Sequence, residues 1–198
     1  MDMPRDSLDE VTDEALLAAY ARGEAAAARA LSLRLVPRVL GYAARLLGDR
    51  AEAEDVAQDA MLRLWRAAPG WRAGEAQVTT WLYRVVTNLC TDRLRGRVRR
   101  RTDTLEDAPE VADAAKGVEA GLIEADRMAA LDAALAELPE RQRQALVLRH
   151  LEGLSNPEIA VVMDIGVEAV ESLTARAKRA LAALLAGRRD DLGYGDEV

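Results

Sequence analysis

The sequence predicts an all-α protein of two small helical domains. A four-helix bundle comes first, then a helix-turn-helix unit, and a flexible acidic linker joins them. Three observations predict this. Half of the 198 residues are hydrophobic, many of them Ala or Leu, with no Phe, a composition that favours helices. Apolar residues recur at three- and four-residue spacing between recognisable start and stop signals. Between residues 102 and 125 that periodicity fades and the chain turns acidic.

The first unit spans residues 1–101. Thr12, followed by Asp13 and Glu14, is a helix start, with Leu16, Leu17 and Tyr20 as the apolar stripe. A long helical stretch continues to Leu47, with an interruption expected near Pro37. Gly48-Asp49 ends it. Asp49 with Glu52 three residues on forms a capping-box pattern for a helix to about Ala68, stopped by Pro69-Gly70. A loop to about Ala76 leads into a helix whose first half is apolar (Trp81, Leu82, Val85, Leu89). Its second half carries Arg93, Arg95, Arg97, Arg99, Arg100 and Arg101.

Residues 102–125 are rich in acidic and small residues and read as a tether. The second unit, 126–186, begins with Met128, Leu131, Leu135 and Leu138 on one helical face. Pro139 opens a helix that Gly153 stops. Ser155 with Glu158 caps a short helix through Met163, Asp164-Ile165-Gly166 turns, and a last helix runs from about Val167 to Ala186. A short helix, a tight turn with Gly and a longer helix make a helix-turn-helix pattern. An acidic tail, 187–198, follows.

The net charge is −7, with 27 basic and 34 acidic residues. The charge is segregated, however: residues 29–101 hold 15 basic and 7 acidic groups. A basic region inside an acidic chain points to a local anionic target, and phosphate backbone fits best. One Cys and one His exclude a disulfide framework and leave too few ligands for a zinc site. No catalytic residue, cofactor or metal is expected. No stretch is apolar enough to span a membrane, and the acidic start is no signal peptide, so a cytoplasmic protein is expected; a monomer is expected as well.

Three faces carry the functional reading. On the last helix, Val170, Leu173, Ala177, Leu181 and Leu184 are spaced to face a core. Ser172, Ala175, Arg176 and Arg179 then lie opposite, as short polar and forked basic groups suited to base edges and phosphates. On the helix after Asp49, Val56, Ala57, Ala60, Met61, Leu64 and Trp65 form the buried stripe. Asp55, Gln58, Asp59, Leu62 and Arg66 fall outside it, and Leu62 among polar neighbours suggests a protein contact. On the arginine-ended helix, Asn88, Asp92 and Arg95 share one polar face able to meet exposed bases as well as phosphate. Trp71 and Trp81 flank the preceding loop; stacking on bases and core packing are both open to them.

The segments AEDVAQDAMLRLWRAAP (from Ala53), WLYRVVTNLCTDRLR (from Trp81), LPERQRQALVLRHLEGLSNPEIAVVM (from Leu138) and VESLTARAKRAL (from Val170), in this order, resemble the extracytoplasmic-function (ECF) sigma factors of bacterial RNA polymerase. The resemblance covers nearly the whole chain. It implies that 1–101 is sigma region 2 and 126–186 is sigma region 4. Asp55, Gln58, Asp59, Leu62 and Arg66 would dock on core RNA polymerase. Trp81, Arg84, Asn88, Asp92 and Arg95 would bind the minus-ten element of promoter DNA. Ser172, Arg176 and Arg179 would read the minus-thirty-five element. An anti-sigma factor is the implied inhibitor. The chain departs from the family at Glu168-Ala169-Val170-Glu171-Ser172-Leu173, where the family often has Gly-Thr-Val-Lys-Ser-Arg, and at Ala76 and Val78, where a glycine and an aromatic are usual.

The alternative is a helix-turn-helix regulator acting without being a polymerase subunit, which would have no use for the Asp55–Arg66 face. A helical adaptor that binds polymerase but not promoters is a further rival. An enzyme is disfavoured by the single His, the single Cys and the lack of a Gly-rich phosphate loop.

Overall fold

The computed structural model describes residues 11–72, 74, 77–103 and 119–186, with side chains for all of these but 101–103 and 119–126. The terminal segments 1–10 and 187–198, Ala76 and most of the expected tether lie outside the described residues. Among the described residues there are eight α-helices and one 3-10 turn, and no strand.

Helix α1, Asp13–Ala21, starts where the Thr12 side chain accepts a hydrogen bond from the Ala15 amide at 3.3 Å. It stops at Gly23, whose φ of 94° is the left-handed conformation that a glycine adopts without strain. Helix α2 spans Ala25–Leu47 with Pro37 inside it. The break expected near Pro37 is therefore at Gly23 instead. Proline removes one helical hydrogen bond and crowds the turn before it. Burial of Leu31, Leu35, Val39 and Tyr42 on both sides of it holds the helix continuous.

Gly48 closes α2 in the left-handed conformation. Asp49 caps α3 (Arg50–Ala67) by accepting from the Glu52 amide at 3.0 Å. The Glu52 carboxylate does not complete the expected capping box; it turns to Arg97 on a later helix. After the 3-10 turn Ala68–Gly70, helix α4 runs Val78–Asp103. Glu14 of α1 caps it from a distance, its Oε1 accepting from the Val78 amide at 3.0 Å. Helix α2 packs on α1, α3 and α4. Leu16, Leu17, Leu31, Leu46, Leu64 and Leu82 are at most 1% exposed between them. Each such leucine contributes about 1.5–3 kcal/mol of transfer free energy.

The second unit holds α5 (Glu119–Ala136), α6 (Glu140–His150), α7 (Asn156–Met163) and α8 (Val167–Ala186). Helix α5 starts seven residues before the expected start of the second unit, so its first turns come from the stretch read as tether. Ser155 and Glu158 form a complete capping box at α7. Asp164 makes the turn into α8 with φ 53°, a left-handed position that Asp tolerates better than most residues. On α5, Leu135 is buried, as is Leu138 just after the helix, but Met128 is 43% exposed, one turn before the packed stretch. On α8, Val170 and Ala177 are fully buried and Leu173 and Leu181 pack against the core. Leu184 is 37% exposed near the helix end, contrary to its expected core position.

The two units touch. Helix α4 packs on α7, and α2 packs on α6 and α5. The buried apolar residues of both units form a single cluster.

Candidate nucleic-acid interface and partner face

Helix α4 presents two opposite sides. Leu82, Val86, Leu89 and Cys90 are buried. Arg84, Asn88, Asp92 and Arg95 are all exposed and fall at i, i+4, i+8 and i+11, one stripe on a helix. Arg99 extends the stripe and is exposed too. The stripe therefore offers an amide, a carboxylate and guanidinium groups along about 22 Å of helix, at 1.5 Å per residue. This set can hold phosphate and also exchange hydrogen bonds with a base edge.

Trp81 is half-buried, at the start of the same helix. It packs edge-on against Trp71, with ring centroids 5.6 Å apart and planes at 85°. Of the two roles open to Trp81 and Trp71, this contact shows packing. The Trp71 indole N–H is buried without a hydrogen-bond partner.

Arg97 does not belong to the phosphate-facing set. Its Nη1 donates to the Leu47 carbonyl at 2.7 Å and its Nε to Glu52 Oε1 at 3.2 Å. Its Nη2 lies 3.1 Å from Glu52 Oε2 and 3.7 Å from Asp49 Oδ2. The guanidinium thus ties the end of α2 to the start of α3. An arginine at the C-terminal end of a helix also suits its dipole. Sequence reading counted it with the other arginines because nothing local marks a residue 45 positions from its partner.

Cys90 is wholly buried. Burial above all pushes its thiol up to about 12, a rise that nearby Glu140 and Glu52 reinforce and Arg93 and Arg97 oppose. The thiol is inert at neutral pH.

On α3, Val56, Ala57, Ala60, Met61 and Leu64 are buried and Trp65 packs against them, ring to ring with Tyr20 at 4.7 Å. Asp55, Gln58, Asp59, Leu62 and Arg66 are exposed. Leu62 does not stand alone. It borders a shallow groove lined also by Val36 and Leu40 of α2 and by Met61 and Trp65. Leu33 of α2 is 69% exposed. The signal for Leu33 was present in the sequence. Leucines at 31, 33 and 35 cannot all face one side at 100° per residue, so one must face out.

On α8, Ser172, Ala175, Arg176 and Arg179 are exposed, as are Glu168 and Glu171. Glu171 accepts a 3.4 Å hydrogen bond from Asn156 of α7, which joins the two helices of the helix-turn-helix. The α8 stripe is separate from the α4 stripe, so the chain has two candidate nucleic-acid faces on two units.

No helix among the described residues is long and apolar enough to cross a membrane, and none of their His, Cys, Asp and Glu side chains cluster as a metal site would require.

Residues 31–100 match the sigma-70 region 2 family, and residues 128–181 match the sigma-70, region 4 family. The ECF RNA polymerase sigma factor SigM of Mycobacterium tuberculosis (strain H37Rv) is 38% identical over 177 residues, covering 89% of this chain and 86% of that protein. Among solved structures, CnrH in complex with the cytosolic domain of CnrY is similar, with a TM-score of 0.64 and 28% identity over 88% of this chain and 97% of that one. The fold is shared also by the sigma factor RpoE, in complex with the anti-sigma factor NepR, from Bartonella quintana. There the TM-score is 0.64 and the identity 23%, over 78% of this chain and 94% of that one.

Proposed function

Since the chain belongs to the extracytoplasmic-function sigma factors of RNA polymerase, we propose that its three exposed faces divide the work of promoter-specific initiation among named residues. Asp55, Gln58, Asp59, Leu62 and Arg66, with Leu33, Val36 and Leu40 beside them, dock on core polymerase. Arg84, Asn88, Asp92 and Arg95 bind the minus-ten element, with Trp81 supporting the stripe from its packed position. Ser172, Arg176 and Arg179 read the minus-thirty-five element. The domain division is 1–101 for the first grip and 126–186 for the second. The chain itself catalyses no reaction. It works in the cytoplasm, where polymerase is, and supplies binding energy that captures unstacked bases at a cost of a few kcal/mol each.

The observation that carries this reading is the pair of exposed polar stripes on two different units, α4 and α8. A lone operator-binding helix-turn-helix needs only the second. Two grips joined by a tether give an avidity neither has alone. CnrH bound to the cytosolic domain of CnrY, and RpoE bound to NepR, support a protein inhibitor of anti-sigma type for this chain too.

Run-off transcription with purified core polymerase on a promoter library tests the assignment. The expected result is a promoter-dependent transcript that Leu62→Asp abolishes by loss of core binding. Wild-type activity from Leu62→Asp would remove the docking role and favour a regulator that works without polymerase.

A further inference from the structure

Three helices of the chain are capped by a neighbour in sequence. Thr12 caps α1, Asp49 caps α3 and Ser155 caps α7, each by accepting from an amide three residues on. Helix α4 starts differently. Gln77, just before it, accepts the Trp81 amide through its backbone carbonyl, but it is not one of the short polar residues whose side chains reach the first turn. The cap comes instead from α1, where Glu14 Oε1 accepts from the Val78 amide at 3.0 Å across 64 residues of sequence. Val78 is fully buried and Glu14 half-buried. A carboxylate at this end also suits the helix dipole.

Helix α1 is itself held in place. Arg34 of α2 donates to the Val11 carbonyl at 2.7 Å and to Asp13 Oδ1 at 3.0 Å. Helix α1 packs on α2, on the 3-10 turn Ala68–Gly70 and on α4, so it touches the chain on both sides of the connection into α4. Helix α4 is thus pinned twice. Toward its C-terminal end Arg97 ties it to Leu47 and Glu52. At its first residue Glu14 ties it to α1. The pins are about 28 Å apart at 1.5 Å per residue, and the exposed stripe from Arg84 to Arg95 lies between them. Glu14 belongs to none of the three exposed faces, and it precedes residue 31, where the match to the sigma-70 region 2 family begins.

We propose that Glu14 is a positioning residue for minus-ten recognition: its carboxylate fixes the first turn of α4, and with it the frame in which Trp81 and the Arg84–Arg95 stripe meet DNA. The proposal rests on the minus-ten reading above. Without the carboxylate the first turn frays, and Trp81 and Arg84 lose their fixed places relative to Asn88, Asp92 and Arg95. Binding then falls by the fraction of molecules in which the turn is formed.

The test uses the full chain bound to core polymerase. The probe is the single-stranded minus-ten oligonucleotide of a promoter recovered from the library. Glu14→Ala should weaken binding of this probe about fivefold, the effect of a lost helix cap. Affinity for core polymerase, and for a duplex carrying the minus-thirty-five element alone, should stay at the wild-type value. Glu14→Gln keeps an acceptor at the same reach and should restore most of the loss. Thr12→Ala is the control, since it removes the cap of α1 itself; it should lower Tm and leave probe binding unchanged. Wild-type probe binding by Glu14→Ala would overturn the proposal. So would an equal loss from Thr12→Ala, which would reduce Glu14 to general support of the bundle, or no rescue by Glu14→Gln. Failure of the sigma reading shows separately, as no promoter-dependent transcript from the wild type.

Discussion

Arg97→Ala separates a structural arginine from a DNA-binding one. The substitution removes the donor to the Leu47 carbonyl, one of the C-terminal carbonyls of α2 with no partner inside its own helix. An orphaned polar group that is largely out of solvent costs about 1–3 kcal/mol. The pair with Glu52 is about one-third exposed on each side and adds only about 0.2–1 kcal/mol after solvent screening. The expected loss is therefore about 2 kcal/mol, or roughly 4–8 °C in Tm at the 2–4 °C per kcal/mol typical of this chain length. Arg97→Lys restores part of it, because an ammonium can reach the carbonyl but cannot fork to Glu52 as well.

The assay is thermal unfolding set beside the salt dependence of promoter binding by the polymerase-bound protein. If Arg97 touches no phosphate, the slope of log affinity against log salt stays unchanged. Arg99→Ala, on the exposed stripe, should do the reverse: leave Tm in place and flatten the slope by about 0.9. An Arg97→Ala protein with wild-type Tm and a slope flattened by that amount would refute the reasoning and return Arg97 to the phosphate contacts.

Asn88→Ala should change which minus-ten sequences are used, with preferences altered by about 1–3 kcal/mol at a single base position; selection from a randomised promoter library checks it. Glu171→Lys should strengthen minus-thirty-five binding and steepen the salt slope by up to about 0.9, measured on a fragment carrying that element alone. Cys90 should resist alkylation at pH 8.5 in the native chain and react quickly in denaturant. Its folded value of about 12 lies above the ordinary thiol value near 8.5, so the stability held by the neutral thiol is complete below about pH 8.5 and is lost as pH climbs toward the folded value. Urea unfolding at pH 8 and pH 10.5, with Cys90→Ala as control, should show a larger fall at high pH in the wild type than in the variant, which keeps the share due to buried Tyr42 and Tyr83.

Most of the helices were legible because each carries its own boundaries. Ser155 and Glu158, Asp49 and Gly48 are local signals, and the structure places α7 and the start of α3 where they point. The exposed stripes of α4 and α8 were legible for the same reason: helical periodicity sorts the residues of one helix into faces. Pro37 misled because tertiary burial of its neighbours outweighs one lost backbone bond. Contacts between distant segments were not legible. The Arg97 staple spans 50 residues to Leu47, and the hydrogen bond between Tyr83 and Glu152 spans 69. Nothing in the spacing of either pair announces it.

The arginines on α4 show why composition alone misassigns roles. As a sequence, the run from Arg93 to Arg101 is a single basic block. In the structure, a period of 3.6 residues distributes it around the helix, so neighbours in sequence point apart. Arg95 and Arg99, four apart, share the outer stripe with Asn88, whereas Arg97, between them, turns about 200° away onto the α2–α3 corner. In the proposed function the outer stripe grips DNA, and the inner arginine fixes the bundle behind it. Losing an outer arginine weakens one contact, but losing the inner one loosens the platform that holds the others in register.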